Sequence, residues 1–219
     1  NTDSNSNIAI GYFAMRDGAG GSSRDYNIAI GTEAMRNANA HVSVAIGYSA
    51  GKYIKNGGTG AVHIGHEAGN YASASANTFM GYQAGKRGPN SAPYASGVNN
   101  TALGYQALYS FTSGNHNNAI GYFAGDAINS GDSNNLLGYY AGSAITTGNY
   151  NVALGHSALQ SISTVDGNTA VGHQAFMSRT IADGVAIGRG AGITGGGADA
   201  IYIGLNAGAL AGSSSGYCI

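Results

Sequence analysis

Apolar residues along this chain fall into short runs of period two that return at a nearly constant interval. The runs read Ile8-Ala9-Ile10, Ile28-Ala29-Ile30, Val44-Ala45-Ile46 and onward to Ile201-Tyr202-Ile203. A β-branched residue opens most of them, Ala usually sits in the middle, and an aliphatic residue or Met closes all of them. A large-small-large alternation of this length predicts a β-strand. Glycine follows each run at once: Gly11, Gly31, Gly47, Gly65, Gly81, Gly104, Gly121, Gly138, Gly155, Gly172, Gly188 and Gly204. Three residues further on stands Ala in every copy: Ala14, Ala34, Ala50, Ala68, Ala84, Ala107, Ala124, Ala141, Ala158, Ala175, Ala191 and Ala207. Asn precedes the run in eight copies, Asn7, Asn27, Asn77, Asn100, Asn117, Asn134, Asn151 and Asn168. Asn tolerates left-handed geometry and bonds its own backbone, which suits a corner before a strand. Glycine ends the strand where the backbone bends or meets another chain closely.

A fixed short period decides the architecture. One copy of 16–17 residues cannot bury its apolar side chains alone, but stacked copies can, each pairing in parallel with the next at about 4.8 Å. The pattern therefore predicts an all-β protein, a parallel β-solenoid of about twelve coils forming a rod of roughly 55–60 Å. The rows of Gly and Ala become smooth strips along it. They are either tight corners inside each coil or surfaces on which a parallel solenoid lies close.

The unbroken repeat favours one elongated unit: a polar extension at 1–6, the repeat domain at 7–211, and a Gly/Ser tail at 212–219. The early copies carry irregular linkers, and 98–177 is the most regular stretch. The longest insertion, 86–97, holds both prolines, Pro89 and Pro93, with Lys86, Arg87 and Tyr94. A loop protruding from a regular rod is where variable binding chemistry sits. Neither end shows an obvious cap, so further fibre or stalk domains, or end-to-end stacking, are expected there.

Net charge is −1, charged residues make up 9% of the chain and no basic cluster exceeds Lys86-Arg87, which argues against a nucleic-acid partner. Disorder is rejected because the apolar residues are strictly placed at low net charge. The core is thin, which favours oligomerisation. No apolar run spans a bilayer, and no signal peptide is read at Asn1. The lone Cys218 has no internal partner.

The residue after the reference glycine is Tyr at Tyr12, Tyr48, Tyr82, Tyr105, Tyr122 and Tyr139, and His at His66, His156 and His173. Stacked coils make this row an aromatic ladder, either structural or a strip for sugar rings. His63 and His66 lie near each other in sequence without further zinc ligands, so no metal and no cofactor is expected. Glu33 and Glu67 share a row but not adjacent coils, so they form no carboxylate pair. Nucleophile-elbow, Walker and Rossmann spacings are all missing, and no nucleophile, base and orienter come together. The expectation is a non-enzyme.

Asn7-Ile-Ala-Ile-Gly11, Asn27-Ile-Ala-Ile-Gly31 and Gly184-Val-Ala-Ile-Gly188 resemble the YadA-like head repeat of trimeric autotransporter adhesins. Asn100-Thr-Ala-Leu-Gly104 and Asn168-Thr-Ala-Val-Gly172 resemble the same repeat as it occurs in bacteriophage tail fibres. The resemblance covers about 7–208. It implies a left-handed β-roll, a side-by-side homotrimer, and an extracellular role at a cell surface or virion tail, in attachment to a glycan, protein receptor or matrix. Coils here are longer than the usual repeat of the family, and its stalk and membrane anchor are not seen. The receptor-contact expectation falls on Lys86, Arg87, Tyr94, Tyr105, Tyr122 and Tyr139. Gly104, Ala107, Gly121, Ala124, Gly138, Ala141, Gly155 and Ala158 are expected to be structural. The competing readings are a structural spacer or self-assembling filament, and an ice-binding solenoid. The last would need a flat Thr array, whereas only Thr78, Thr101 and Thr169 open their runs with Thr.

Overall fold

Each apolar run forms one three-residue strand. The strands are β1 (Ile8–Ile10), β2 (Ile28–Ile30), β3 (Val44–Ile46), β4 (Val62–Ile64), β5 (Thr78–Met80), β6 (Thr101–Leu103), β7 (Asn118–Ile120), β8 (Asn135–Leu137), β9 (Val152–Leu154), β10 (Thr169–Val171), β11 (Val185–Ile187) and β12 (Ile201–Ile203). The computed structural model describes residues 6–17, 24–54, 59–87, 94–178, 182–194 and 199–209. Pro89, Pro93, Gly195–Gly197, the 212–219 tail with Cys218, and 1–5 of the polar extension lie outside the described residues.

All twelve strands form one parallel sheet in chain order, β1 to β12, each paired with its sequence neighbours. The register is equivalent throughout, as in Thr101↔Asn118, Ala102↔Ala119 and Leu103↔Ile120. Among the described residues there is no helix. Hydrogen bonding between coils continues beyond the strands: Gly121 N–H donates to Leu103 O at 2.8 Å, and Leu108 N–H donates to Ala124 O at 3.1 Å. The chain is an all-β parallel solenoid.

The strand's middle residue points inward. Ala29, Ala45, His63, Phe79, Ala102, Ala119, Leu136, Ala153, Ala170, Ala186 and Tyr202 are all buried. Its two flanking residues point outward, leaving Ile10, Met80, Leu103, Ile120, Leu137, Leu154, Ile187 and Ile203 exposed. The middle position is Ala in most strands, so most strands bury their small residue and expose an aliphatic one, while β4, β5, β8 and β12 bury the larger His63, Phe79, Leu136 and Tyr202.

The two smooth strips differ in burial: the alanine row lies inside the coil, whereas the glycine row is part-exposed and tight only along the stacking direction. The alanine row, from Ala34 to Ala191, is buried. In the glycine row, backbone stacks on backbone: a Cβ on Gly104 would lie 2.3 Å from Gly121 O, and Gly104 holds φ +140, which L side chains rarely adopt. The glycine row is therefore a tight corner at which coil stacks directly on coil.

A buried amide ladder fixes the corner before the strand. Asn100, Asn117, Asn134, Asn151 and Asn168 each donate their backbone N–H to the preceding Asn Oδ1, at 2.8–3.0 Å. Their Nδ2 groups reach the same oxygen at 3.0–3.3 Å. Asn134 Nδ2 also bonds across the coil to Gly148 O at 2.8 Å. An Asn carries both the acceptor and the two donors this position needs.

Candidate functional site

The residue following the reference glycine emerges on the outer surface beside the exposed strand face. Because the coils keep register, these residues stack. Tyr48, His66, Tyr82, Tyr105, Tyr122, Tyr139, His156 and His173 form a continuous run of eight rings. Centroid separations are 4.9–5.1 Å and interplanar angles 7–26°. Inserting a sugar ring between two aromatic faces needs roughly 7–8 Å, twice a van der Waals contact. The faces are therefore taken by neighbouring rings, and the side the ladder turns to solvent is ring edge and hydroxyl. Tyr82, Tyr105, Tyr122 and Tyr139 remain 41–46% exposed.

A second aromatic pair braces the middle of the ladder. Phe123 and Tyr140 stack at 5.4 Å and 3°. Phe123 meets Tyr122 edge-on at 4.6 Å, and Tyr140 meets Tyr139 edge-on at 4.5 Å. Such T-shaped contacts favour the ring quadrupoles. Sequence reasoning missed this pair, although its signal is simple: both residues lie two positions after a reference glycine. Asp126 sits near Tyr140, and burial pushes its carboxyl up to about 6.

The expected loop residues divide. Lys86 is only 8% exposed, and its Nζ donates to Glu67 Oε2 at 2.7 Å. It is an internal clip between coils, and its burial removes it from the receptor-contact set. The Glu67 carboxyl is held below the usual range: burial raises it, but hydrogen bonds from Lys86 and Gln83 outweigh that. Glu33 is clipped in the same way by Lys52 at 2.6 Å and by Arg36, so the two glutamates serve separate ion pairs. Arg87 is half-buried, its backbone N–H donating to Asn70 O at 3.3 Å. Tyr94 packs against Tyr71 and Tyr53, each at 6.1 Å, while Tyr53 and Tyr71 stack at 4.6 Å. This three-tyrosine cluster, also missed at the sequence level, is separate from the strand-side ladder.

His63 and His66 lie on opposite sides of the coil wall. His66 belongs to the outer ladder, whereas His63 is fully buried and stacked on Phe79 at 5.2 Å. Neither His63 nitrogen has a hydrogen-bond partner, and burial lowers its pKa to about 4. His156 and His173 stack at 5.0 Å, one coil apart. Among the described residues, no three His, Cys, Asp or Glu side chains converge as metal ligands. Among those residues also, no helix is long and apolar enough to cross a membrane.

No protein-family model matches the chain, and no curated protein or solved structure matches it.

Proposed function

We propose that this chain is a non-enzymatic attachment protein, a left-handed β-roll whose copies pack side by side as a homotrimer in an extracellular fibre or adhesin head. The observation that carries the reading is the outward strand face. A monomeric rod of this kind would leave Ile10, Leu103, Ile120, Leu137, Leu154, Ile187 and Ile203 in water along its whole length. Exposed apolar surface that is this extended and regular marks an interface. A copy of the same chain presents the same period, so its side chains stay in step along the rod. The resemblance of Asn100-Thr-Ala-Leu-Gly104 to the head repeat agrees with this packing and with a place on a cell surface or virion tail. The aromatic ladder and the half-buried Arg87 and Tyr94 lie outside the apolar strip and are assigned to receptor contact.

The test joins assembly to attachment. Wild-type protein and an L137K variant are compared for mass in solution and for retention on immobilised cell-surface glycans and matrix proteins. The proposal requires a trimer that is retained and a variant that is smaller and retained less. Full retention by a monomeric variant would break the link between trimer and attachment.

A further inference from the structure

The ladder's geometry narrows the ligand class, and the inference rests on the attachment reading. We infer that the Tyr82–Tyr105–Tyr122–Tyr139 edge binds an extended, neutral, β-1,4-linked polysaccharide lying along the rod, contacted edge-on through the phenol hydroxyls and not by stacking on the ring faces.

Three observations select that class. The first is period. Successive tyrosines stand 5.1 Å apart. An extended peptide advances about 3.3–3.4 Å per residue and a polyproline helix about 3.1 Å, so both fall out of step after one ring. An extended β-1,4-linked glycan advances by close to one ladder spacing per sugar, so each sugar lies beside one phenol, with successive sugars turned over and alternate ones presenting the same edge. The second is charge. From Tyr82 to Tyr139 the row is phenol throughout, and its first formal charge is the exposed Arg189, one coil beyond His173, so the tyrosine edge itself offers no cation to sulfated, phosphorylated or uronic acid polymers. The third is rigidity. Face-to-face stacking along the row and edge-on bracing by Phe123 and Tyr140 hold the hydroxyls in place before binding. A pre-ordered array loses less side-chain freedom on binding, so individually weak contacts add up along a long ligand.

The experiment uses the full chain and a Tyr105→Phe, Tyr122→Phe, Tyr139→Phe variant, which keeps the stacked rings and removes three hydroxyls. Both are measured against cello-oligosaccharides of two to six sugars by calorimetry, and against insoluble cellulose and chitin by sedimentation, with polygalacturonate as the acidic polymer. The expected result is affinity that rises with oligosaccharide length, at least tenfold weaker binding by the phenylalanine variant, and no binding to polygalacturonate. No binding of wild-type protein to the neutral glycans overturns the inference, as does unchanged binding by the variant. Light scattering on the same samples keeps the two proposals apart. A trimer that ignores these glycans sinks only the ligand class, and a monomer that binds them sinks only the trimer.

Discussion

Phe79 and Gly85 occupy one space from opposite walls of the same coil: a Cβ on Gly85 would lie 2.3 Å from Phe79 Cδ2. The trade recurs along the rod. Large inward residues at His63, Leu136 and Tyr202 face Gly69, Gly142 and Gly208, while the small Ala102, Ala153 and Ala170 are matched with the buried Leu108, Leu159 and Phe176. Where both positions are small, as at Ala119 and Gly125, Leu136 and Leu108 of the adjacent coils fill the room. Phe79→Ala should therefore cost about 3–5 kcal/mol through its cavity. Gly85→Ala should cost about 1–3 kcal/mol through overpacking. The Phe79→Ala, Gly85→Leu double variant should be less destabilised than the sum of Phe79→Ala and Gly85→Leu measured singly. A leucine can hold the left-handed backbone of that position, since Leu108 already does so at a φ of 51°. Denaturant titration of wild type, the two single variants and the double variant gives the coupling, and strict additivity would refute the shared space.

This trade explains what could and could not be read in the chain. The strands, their parallel order and the glycine corner were legible because backbone needs show directly as residue type at Ile10-Gly11 or Leu103-Gly104. The side that faces inward was not. The run Val152-Ala153-Leu154 suggests large residues in the core, but the coil is too narrow for two facing large side chains, so Ala153 goes in opposite Leu159. The same narrowness draws the alanine row inside, where sequence alone left it equally open as an interface. On the surface, period and register revealed the ladder of Tyr105, Tyr122 and Tyr139. The burial of Lys86 depends on Glu67, a coil earlier in the chain, which no local pattern reports.

The amide ladder should be costly to interrupt. Asn134→Ala removes the acceptor for Asn151 N–H and the donor for Gly148 O, both at buried or near-buried positions. Each orphaned group is expected to cost about 1–3 kcal/mol. Asn118→Ala, which loses only an exposed bond to Asn135, should change stability by less than about 0.5 kcal/mol. Equal effects of the two substitutions in chemical denaturation would contradict a structural role for the buried row.

His63 should make the rod acid-sensitive. Its folded pKa of about 4 lies below the ordinary 6.5, so between those values the unfolded chain binds the proton more readily. Its contribution to stability is full above pH 6.5, falls as pH drops through that value, and levels off below about 4. The total loss is on the order of 3 kcal/mol. His63→Phe, which repeats the Phe79 solution one coil earlier, should flatten this part of the pH profile of melting temperature. An unchanged profile would show that the acid response originates elsewhere.

The exposed strand face should tolerate charge within one chain and reject it between chains. Leu103→Lys and Leu137→Lys alter side chains that are 43% and 47% exposed. Each should leave the far-ultraviolet β-spectrum intact while shifting the assembly toward single chains. Loss of the β-spectrum in both would place those residues in the fold's own core.

The most direct test of the account is the absolute mass of the unmodified protein by light scattering. Side-by-side packing of the aliphatic face predicts a mass close to three times the 21.8 kDa chain. A mass of 21.8 kDa, unchanged on raising the concentration, would contradict it and leave the exposed Leu103, Ile120 and Leu137 row without a partner of its own kind.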